Sequence, residues 1–182
     1  MNWTISNQLT IARVLLIPLL AGCFYIPNTM GYILATSVFA IASITDWLDG
    51  YLARTRNEVT AFGRFLDPVA DKLLVATALV LLVEDERVPA LLAAIIIGRE
   101  ITISALREWL AEQSTVVHVS FLGKAKTAVQ MGAIVALLIH LPLGGVDFHL
   151  VGLILLWVAA GLTLWSGYDY IRNAWPSLTA KQ

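Results

Sequence analysis

The amino-acid sequence predicts an all-α integral membrane protein in which six transmembrane helices form one bundle. Of its 182 residues, 58% are hydrophobic and 14% are charged, and the mean hydropathy is +0.77, whereas soluble domains carry about 25% charged residues. Long apolar segments recur along the whole chain. Basic residues alternate between rich and poor loops, which is the pattern that the positive-inside rule gives to membrane proteins.

Each apolar segment approaches the roughly 20 residues that a helix needs to cross about 30 Å of hydrocarbon. In chain order, the six segments cover residues 9–27, 31–52, 68–84, 88–107, 125–142 and 148–170. Because an unsatisfied backbone group in lipid costs several kcal/mol, we expect helices here rather than open strands. We expect residues 1–182 to form a single membrane domain.

The loops between these segments predict the orientation in the membrane. The first and fifth loops have no lysine or arginine, and the third has only Arg87 among three acids. The remaining loops and the C-terminal tail are basic: Arg54, Arg56, Arg64, Lys72, Arg107, Lys124, Lys126, Arg172 and Lys181. Since retained loops are enriched in basic residues, both termini are expected to face the cytoplasm from the cell's inner membrane.

Four aspartates fall at that cytoplasmic surface, where the second helix ends and the third begins. Asp46 and Asp49 lie about 60° apart around a helix axis, and Asp67 and Asp71 about 40° apart, so each pair projects from one face. Carboxylates this close repel one another unless a cation neutralises them. Oxygen ligands suit one or two Mg²⁺ or Mn²⁺ ions, and without a histidine in the segment zinc is disfavoured.

The residues between the two aspartate pairs favour a phosphorylated ligand. Gly50 and Ala53 leave a groove on the helix where a substrate can approach the backbone, and Arg54 can bridge two phosphate oxygens. Gly63, expected in the connecting loop, suits a backbone shape that a Cβ atom would resist.

Structural alternatives stay open for this segment. Asp67 precedes Pro68 and could cap a helix N-terminus, with or without binding a cation. Gly50 and Ala53 could simply allow close helix packing. Arg54 could anchor the topology, as basic residues at a membrane surface often do.

Eight of these positions form the pattern D-x2-D-G-x2-A-R-x8-G-x3-D-x3-D without departure. This pattern resembles the signature of the CDP-alcohol phosphotransferases. The segments "NQLTIAR", "GREITISALRE" and "GKAKT" resemble the phosphatidylglycerophosphate synthase branch of that family, so the likeness covers most of the chain.

The resemblance implies a six-helix membrane enzyme, usually a homodimer, with a cytoplasm-facing cavity for two metal ions and a CDP-linked lipid. It places Asp46, Asp49, Asp67 and Asp71 as metal ligands, and makes Asp71 the proposed general base. By the same carry-over, the CDP-diacylglycerol site is lined by Gly50, Ala53, Arg54 and Gly63. The implied acceptor is sn-glycerol 3-phosphate, the products are phosphatidylglycerophosphate and CMP, and no nucleic-acid partner is expected.

A phosphate-bearing acceptor needs cations, and four basic residues are candidates: Arg99, Arg107, Lys124 and Lys126. Arg99 could instead pair with Glu100 or with an acid on another helix. The two lysines point about 160° apart on a helix, so we expect only one of them, Lys124, to face the pocket.

Other features leave alternatives open. The polar stripe of Asn7, Thr10 and Arg13 could border the headgroup site or mark an interfacial helix start. His140 and His149 lack ligand spacing and are expected to be loop residues. One rival function is the same chemistry with inositol phosphate or serine as acceptor. A second is a divalent-cation transporter, which would also place carboxylates between membrane helices, and a third is a membrane scaffold that only binds its ligands.

Overall fold

The computed structural model describes residues 5–56, 61–112, 121–140 and 145–179. Within these ranges it contains six α-helices and no β-strand: α1 (Ile5–Phe24), α2 (Thr29–Arg56), α3 (Ala61–Glu84), α4 (Ala90–Glu112), α5 (Phe121–Leu138) and α6 (Phe148–Thr179). The predicted all-α class and the predicted number and order of helices are therefore confirmed over the described residues.

Two predicted boundaries depart most from the structure: α6 continues to Thr179 rather than ending at residue 170, and α3 begins well before residue 68. This helix begins at Ala61 and carries Pro68 inside it. A proline in a helix removes one backbone hydrogen bond, and here that loss does not end the helix. The N-cap alternative for Asp67 is therefore wrong, and Gly63 lies in the first turn of α3 rather than in a connecting loop.

The described helices pack side by side in a bundle, although not every helix packs against the next one along the chain. Helix α1 packs against α2 and α3, α4 packs against α3 and α6, and α5 packs against α6, α2 and α3. Short connections favour antiparallel neighbours. The start of α1, the end of α2 and the start of α3 consequently meet at one end of the bundle, together with the end of α4, the start of α5 and the end of α6.

Apolar side chains from all six helices form one continuous core. Its fully enclosed members include Leu20, Phe39, Leu79, Leu82, Leu92, Ile96, Leu137 and Leu156. At Gly152 of α6, an added Cβ would lie 2.7 Å from Leu137 Cγ and 3.1 Å from the Ala133 carbonyl oxygen. Helices α5 and α6 therefore approach each other as closely as small residues in membrane helices permit.

Polar contacts stabilise one end of the bundle. This end carries the α1–α2, α3–α4 and α5–α6 connections. His140 places Nε2 2.7 Å from Asp85 Oδ2 and Nδ1 3.1 Å from the Leu138 carbonyl oxygen. Its ring stacks on Tyr32 with the centroids 3.4 Å apart. The histidine is therefore a structural link between α2, the end of α3 and the end of α5.

Two further side chains complete this end. The Tyr25 hydroxyl donates to Glu84 Oε2 at 2.6 Å, and this hydrogen bond raises the pKa of the Tyr25 phenol. Arg87 Nη2 donates to the Ile139 carbonyl oxygen at 3.3 Å, and burial lowers the pKa of Arg87. These contacts tie the α1–α2 and α3–α4 connections to the rest of the bundle.

Three helices contain segments long and apolar enough to cross a membrane, within the residues that the structure describes: Asn7–Phe24, Thr29–Asp46 and Phe148–Trp175. A shorter apolar helix covers Ala125–Leu138. Helices α3 and α4 carry more charge within their apolar segments, including Asp71 and Lys72 in α3 and Arg99 and Glu100 in α4. Those charges belong to the polar end of the bundle, where α1 and α3 begin and α2 ends.

Candidate active site

Three of the four predicted metal-binding aspartates converge at the polar end of the bundle. Arg13 Nη1 of α1 lies 3.0 Å from Asp46 Oδ1 of α2 and 2.7 Å from Asp71 Oδ1 of α3. The Thr10 hydroxyl, one turn earlier on α1, donates to Asp67 Oδ1. Side chains from three helices thus meet around one guanidinium.

The polar stripe of α1 is what brings these carboxylates together. Asn7, Thr10 and Arg13 recur every third residue and are 7%, 0% and 0% exposed. A charged side chain is almost never fully buried unless it is paired, and Arg13 is paired. The alternative of an interfacial helix start is therefore wrong for this stripe, which faces α2 and α3.

The predicted nucleotide-binding residues are only partly described. Asp49, Gly50, Ala53 and Arg54 lie in α2, and their side chains fall outside the described part of the structure. Gly63 is buried near the start of α3. Because α2 continues as an unbroken helix to Arg56, the residues of the motif stay on helical spacing.

The described carboxylates fit a divalent cation by their chemistry. Asp46 and Asp71 each place one oxygen against the same positive group, so both lie within reach of a single cation. A carboxylate has two oxygens and about four lone-pair sites, so contact with Arg13 leaves capacity for an ion. Among the residues with described side chains, no group of three His, Cys, Asp or Glu forms a complete metal site.

Lys126 of α5 pairs with Glu100 of α4. Lys126 Nζ lies 2.6 Å from Glu100 Oε1, and Gln130 Nε2 donates to the same oxygen at 3.3 Å. Lys126 is 4% exposed, so its ammonium is held inside the bundle by this carboxylate. The preference for Lys124 over Lys126 stays a prediction, because the Lys124 side chain lies outside the described residues.

Arg99 of α4 faces α6. Its Nε donates to the Thr163 carbonyl oxygen at 3.0 Å, and its Nη2 donates to the Ser166 hydroxyl at 2.7 Å. A Cβ atom at Gly167 would lie 3.2 Å from Arg99 Nε, so a glycine leaves room for the guanidinium. These hydrogen bonds replace the ion pair with Glu100 that the sequence left open.

Arg107, two turns further along α4, also faces α6. Its guanidinium carbon lies 5.7 Å from the centroid of the Tyr170 ring, a distance at which a cation is attracted to an aromatic face. Lys126 lies within electrostatic range of both Arg99 and Arg107. The three described members of the predicted acceptor group therefore lie in one region, around Glu100.

Lys72 connects this basic region with the aspartates. Its Nζ donates to the Pro68 carbonyl oxygen at 2.9 Å, and it lies within electrostatic range of Asp71, Glu100 and Arg107. A cavity of about 290 Å³ opens beside it between α3 and α4, with Pro68, Lys72, Glu100, Ser104 and Glu108 in its lining. Lys72 is thus close to both Asp71 and Glu100, beside a cavity whose lining is mainly apolar.

Sequence reasoning did not assign the contacts of Arg13, Thr10 and Glu100. The available signal was the spacing of polar residues every third position on an otherwise apolar α1, which predicts one shared face. That spacing does not say which helix the face contacts. Only the packing of α1 against α2 and α3 pairs Arg13 with aspartates far along the chain.

Comparisons with known proteins identify the family of the chain. The profile of the CDP-alcohol phosphatidyltransferase family matches residues 3–165. A Pseudomonas fluorescens protein named CDP-diacylglycerol–glycerol-3-phosphate 3-phosphatidyltransferase is 51% identical over 179 residues, which cover 96% of this chain and 91% of the relative. Proteins of the same name from Yersinia enterocolitica (46% identical, 98% of each chain) and Shigella flexneri serotype 5b (48% identical, 96% of each chain) are also similar.

Proposed function

Because the chain belongs to the CDP-alcohol phosphatidyltransferase family, we propose that it transfers a phosphatidyl group from CDP-diacylglycerol to sn-glycerol 3-phosphate. The products are phosphatidylglycerophosphate and CMP. The substrates follow from the names of relatives that are about half identical over nearly the whole chain. We further propose that residues 1–182 form one domain that works as a homodimer.

The observation that carries the proposal is the convergence of Asp46, Asp67 and Asp71 on α1 at one end of an apolar bundle. Negative charge in this setting is costly and marks a functional site by default. We infer that Asp49 joins these three as a ligand and that the set binds Mg²⁺ or Mn²⁺, in one or two sites. Oxygen ligands are the ones these ions prefer.

The residues of the chain take separate roles in the proposed reaction. Asp71 accepts the proton of the acceptor hydroxyl, whose oxygen attacks the phosphorus that bears the lipid. The bond from that phosphorus to the bridging oxygen breaks, and CMP leaves with the electron pair. Gly50, Ala53, Arg54 and Gly63 bind and orient the CDP group. Divalent ions, when bound, supply charge stabilisation to the entering and departing oxygens.

The acceptor phosphate is bound by the basic region on the other side of Lys72. Arg99, Arg107 and Lys126 lie within electrostatic range of one another there. Lys124 lies near the start of the same helix as Lys126. Partial neutralisation by Glu100 leaves a net positive charge in this group. Such a surplus favours an anionic acceptor over a neutral one.

We propose that all six helices cross the membrane, with both termini and the polar end at the cytoplasmic surface. Three helices meet the length and hydropathy of a membrane span on their own. Asp71 of α3 and Arg99 and Glu100 of α4 contact polar side chains of neighbouring helices, so these charges face protein rather than lipid. The polar region then forms a cavity open to the cytoplasm.

The test is release of CMP by the purified protein given CDP-diacylglycerol, glycerol 3-phosphate and Mg²⁺ or Mn²⁺. We expect release to require both the acceptor and the metal, and to stop when the metal is chelated. Serine and inositol phosphate, offered in place of glycerol 3-phosphate, should give little CMP. Release with either of them at the same rate would contradict the proposed acceptor, and no release under any condition would contradict the enzyme activity.

A further inference from the structure

The cavity beside Lys72 is a groove to which the proposed reaction gives no role. Its described lining comes from residues 68–76 of α3 and residues 97–108 of α4. Leu73 and Ile101 belong to this lining and are 49% and 58% exposed. The groove, called the α3–α4 groove below, therefore opens on the outer surface of the bundle.

The dimensions of the α3–α4 groove restrict what can occupy it. At 1.5 Å per residue, positions 97–108 of α4 span about 16 Å, close to the roughly 15 Å depth of one leaflet of a bilayer. A volume of about 290 Å³ spread over this length gives a cross-section of roughly 18 Å². A helix, which is about 10 to 12 Å across, cannot lie inside such a groove. A single hydrocarbon chain can.

Polarity changes along the groove from one end to the other. Val75 and Ala76 of α3 and Ile97 of α4 line the end that lies deeper in the bundle. Lys72 and Glu108 line the end nearer to the start of α3 and the end of α4. A phospholipid presents its chain and its head group in this same order, from the inside of a leaflet to its surface.

Lys72 supplies a cation at the polar end of the groove. Its Nζ donates one hydrogen bond, to the Pro68 carbonyl oxygen at 2.9 Å. An ammonium has three donors, so this bond leaves capacity for a phosphate oxygen. Asp71 and Arg107 also lie within electrostatic range of Lys72, and their opposite charges largely offset each other there.

Glu108 supplies an anion at the same end. It is exposed, lines the groove and lies within electrostatic range of Lys72. Glu100 is the other carboxylate of the described lining, and Lys126 Nζ neutralises it from 2.6 Å. One cation and one anion are therefore offered together, which matches a head group that carries both charges. An anionic head group would be repelled by Glu108.

We propose that the α3–α4 groove binds one phospholipid whose head group carries an ammonium beside its phosphate. One acyl chain lies between the two helices, the phosphate contacts Lys72, and the ammonium contacts Glu108. The lipid comes from the cytoplasmic leaflet and is distinct from the anionic, CDP-linked substrate. This inference rests on the proposed membrane topology and does not depend on the proposed reaction.

Native mass spectrometry of the purified, delipidated protein measures bound lipid and oligomeric state together. Phosphatidylethanolamine and phosphatidylglycerol with the same acyl chains are titrated separately in detergent. We expect one phosphatidylethanolamine per chain, bound about 5-fold more tightly than phosphatidylglycerol, which is the scale of one exposed ion pair. Ala76→Phe fills the apolar end of the groove and should abolish this binding. Ala128→Phe makes the same change at an exposed position of α5 and should bind like the parent.

Glu108→Lys tests recognition of the head group. It replaces the anion by a cation, so the preference should reverse and phosphatidylglycerol should bind more tightly. Asp169→Lys makes a similar change of charge at an exposed position of α6, and it should keep the preference of the parent. Because Glu108 is exposed, this pair of variants carries the test if Ala76→Phe does not fold.

Three results would overturn the proposal. They are equal binding of the two lipids by the parent, an unchanged preference in Glu108→Lys, and lipid binding that Ala76→Phe leaves intact. A shift from dimer to monomer in Ala76→Phe, without loss of bound lipid, would instead assign the groove to an interface between two copies of the chain. CMP release plays no part in these measurements, so their outcome is separate from that of the proposed reaction.

Discussion

Single side chains at the polar end are held in place by opposite charges that come from other helices. Asp46 and Asp71 meet on Arg13, and Glu100 holds Lys126. Taking charged groups out of water is costly, and removing one partner of a buried pair leaves that cost uncompensated. Substitutions of these residues are therefore expected to fall into two groups, those that lower the reaction rate and those that lower the stability of the fold.

Asp71→Asn should abolish measurable turnover and leave the fold intact. The amide cannot accept the proton of the acceptor hydroxyl, and loss of a general base typically lowers the rate by a factor of about 10² to 10⁴. The amide oxygen can still accept a hydrogen bond from Arg13, so the helices stay connected. CMP release measures the effect, and size-exclusion elution in detergent checks assembly. A turnover rate equal to that of the parent would contradict the role of Asp71.

Glu100→Gln should destabilise the protein, because it leaves the Lys126 ammonium buried without its carboxylate. We expect a loss of about 3 kcal/mol, the lower end of the range for breaking a buried ion pair, since Glu100 keeps some solvent contact. Adding Lys126→Met removes the unpaired charge and should restore most of the stability. Unfolding in denaturant measures both variants, and equal stability of the single and double variants would show that the pair does not act as a unit.

The spacing of the four aspartates was visible in the sequence, because residues on one helix face recur at fixed intervals. The contact between Arg13 and these aspartates was not visible, since it depends on how α1 packs against α2 and α3. The pairing of Lys126 with Glu100 rather than of Arg99 with Glu100 has the same origin. Local periodicity says which residues share a face, and only packing decides what that face contacts.

At the scale of helices, the bundle depends on two close approaches that the apolar runs alone do not reveal. Helix α6 meets α5 at Gly152, and it accommodates Arg99 beside Gly167. The apolar runs predicted the number and order of helices because a membrane span needs a minimum length. They predicted the wrong start for α3, because proline is common in the first turn of a helix. Pro68 lies inside α3 instead.

Two glycines of α6 offer a matched pair of substitutions. Gly152→Ala should lower the melting temperature, because the new Cβ would lie 2.7 Å from Leu137 Cγ and 3.0 Å from the Leu137 backbone nitrogen. Gly161→Ala has no heavy atom within 4 Å of the new Cβ, and it should gain up to about 1 kcal/mol from the better helix propensity of alanine. Thermal unfolding in detergent compares them. Equal melting temperatures would show that α5 and α6 do not pack this closely.

The connection after α1 should show a pH-dependent link to α3. Hydrogen bonding to Glu84 raises the pKa of the Tyr25 phenol above its ordinary value of 10.0. The phenol donates only while protonated, so its contribution to stability is complete below pH 10 and is lost as the pH rises through the raised pKa. The small difference in melting temperature between the parent and Tyr25→Phe should be constant from about pH 7 to 9 and shrink at higher pH. A difference that grows above pH 10 would contradict this assignment.

Over the whole molecule, polar contacts are sorted to the two ends of an apolar bundle. One end carries the aspartates and the basic region, and the other carries the His140 and Tyr25 contacts. The alternation of basic and neutral loops predicts which end faces the cytoplasm. Three of the helices are long and apolar enough to cross a membrane, whereas the charged residues of α3 and α4 lower the mean hydropathy of those two helices.

The predicted orientation can be tested with single cysteines. Cys23 is the only cysteine and is buried, so Cys23→Ala gives a background without thiols. Ile26, in the α1–α2 connection, is 42% exposed, and Gln8 is exposed near the start of α1. In right-side-out vesicles, an impermeant maleimide should label Ile26→Cys and should label Gln8→Cys only after permeabilisation. The reverse pattern would place the polar end outside the cell.

The enclosed guanidinium of α1 has a consequence for how the protein is made. Arg13 belongs to the chain itself, so the partner of Asp46 and Asp71 arrives with the helices rather than from solution. Assembly of the helices then does not require a metal ion. Under the proposed metal dependence, protein made without magnesium would fold and would become active once the ion is supplied.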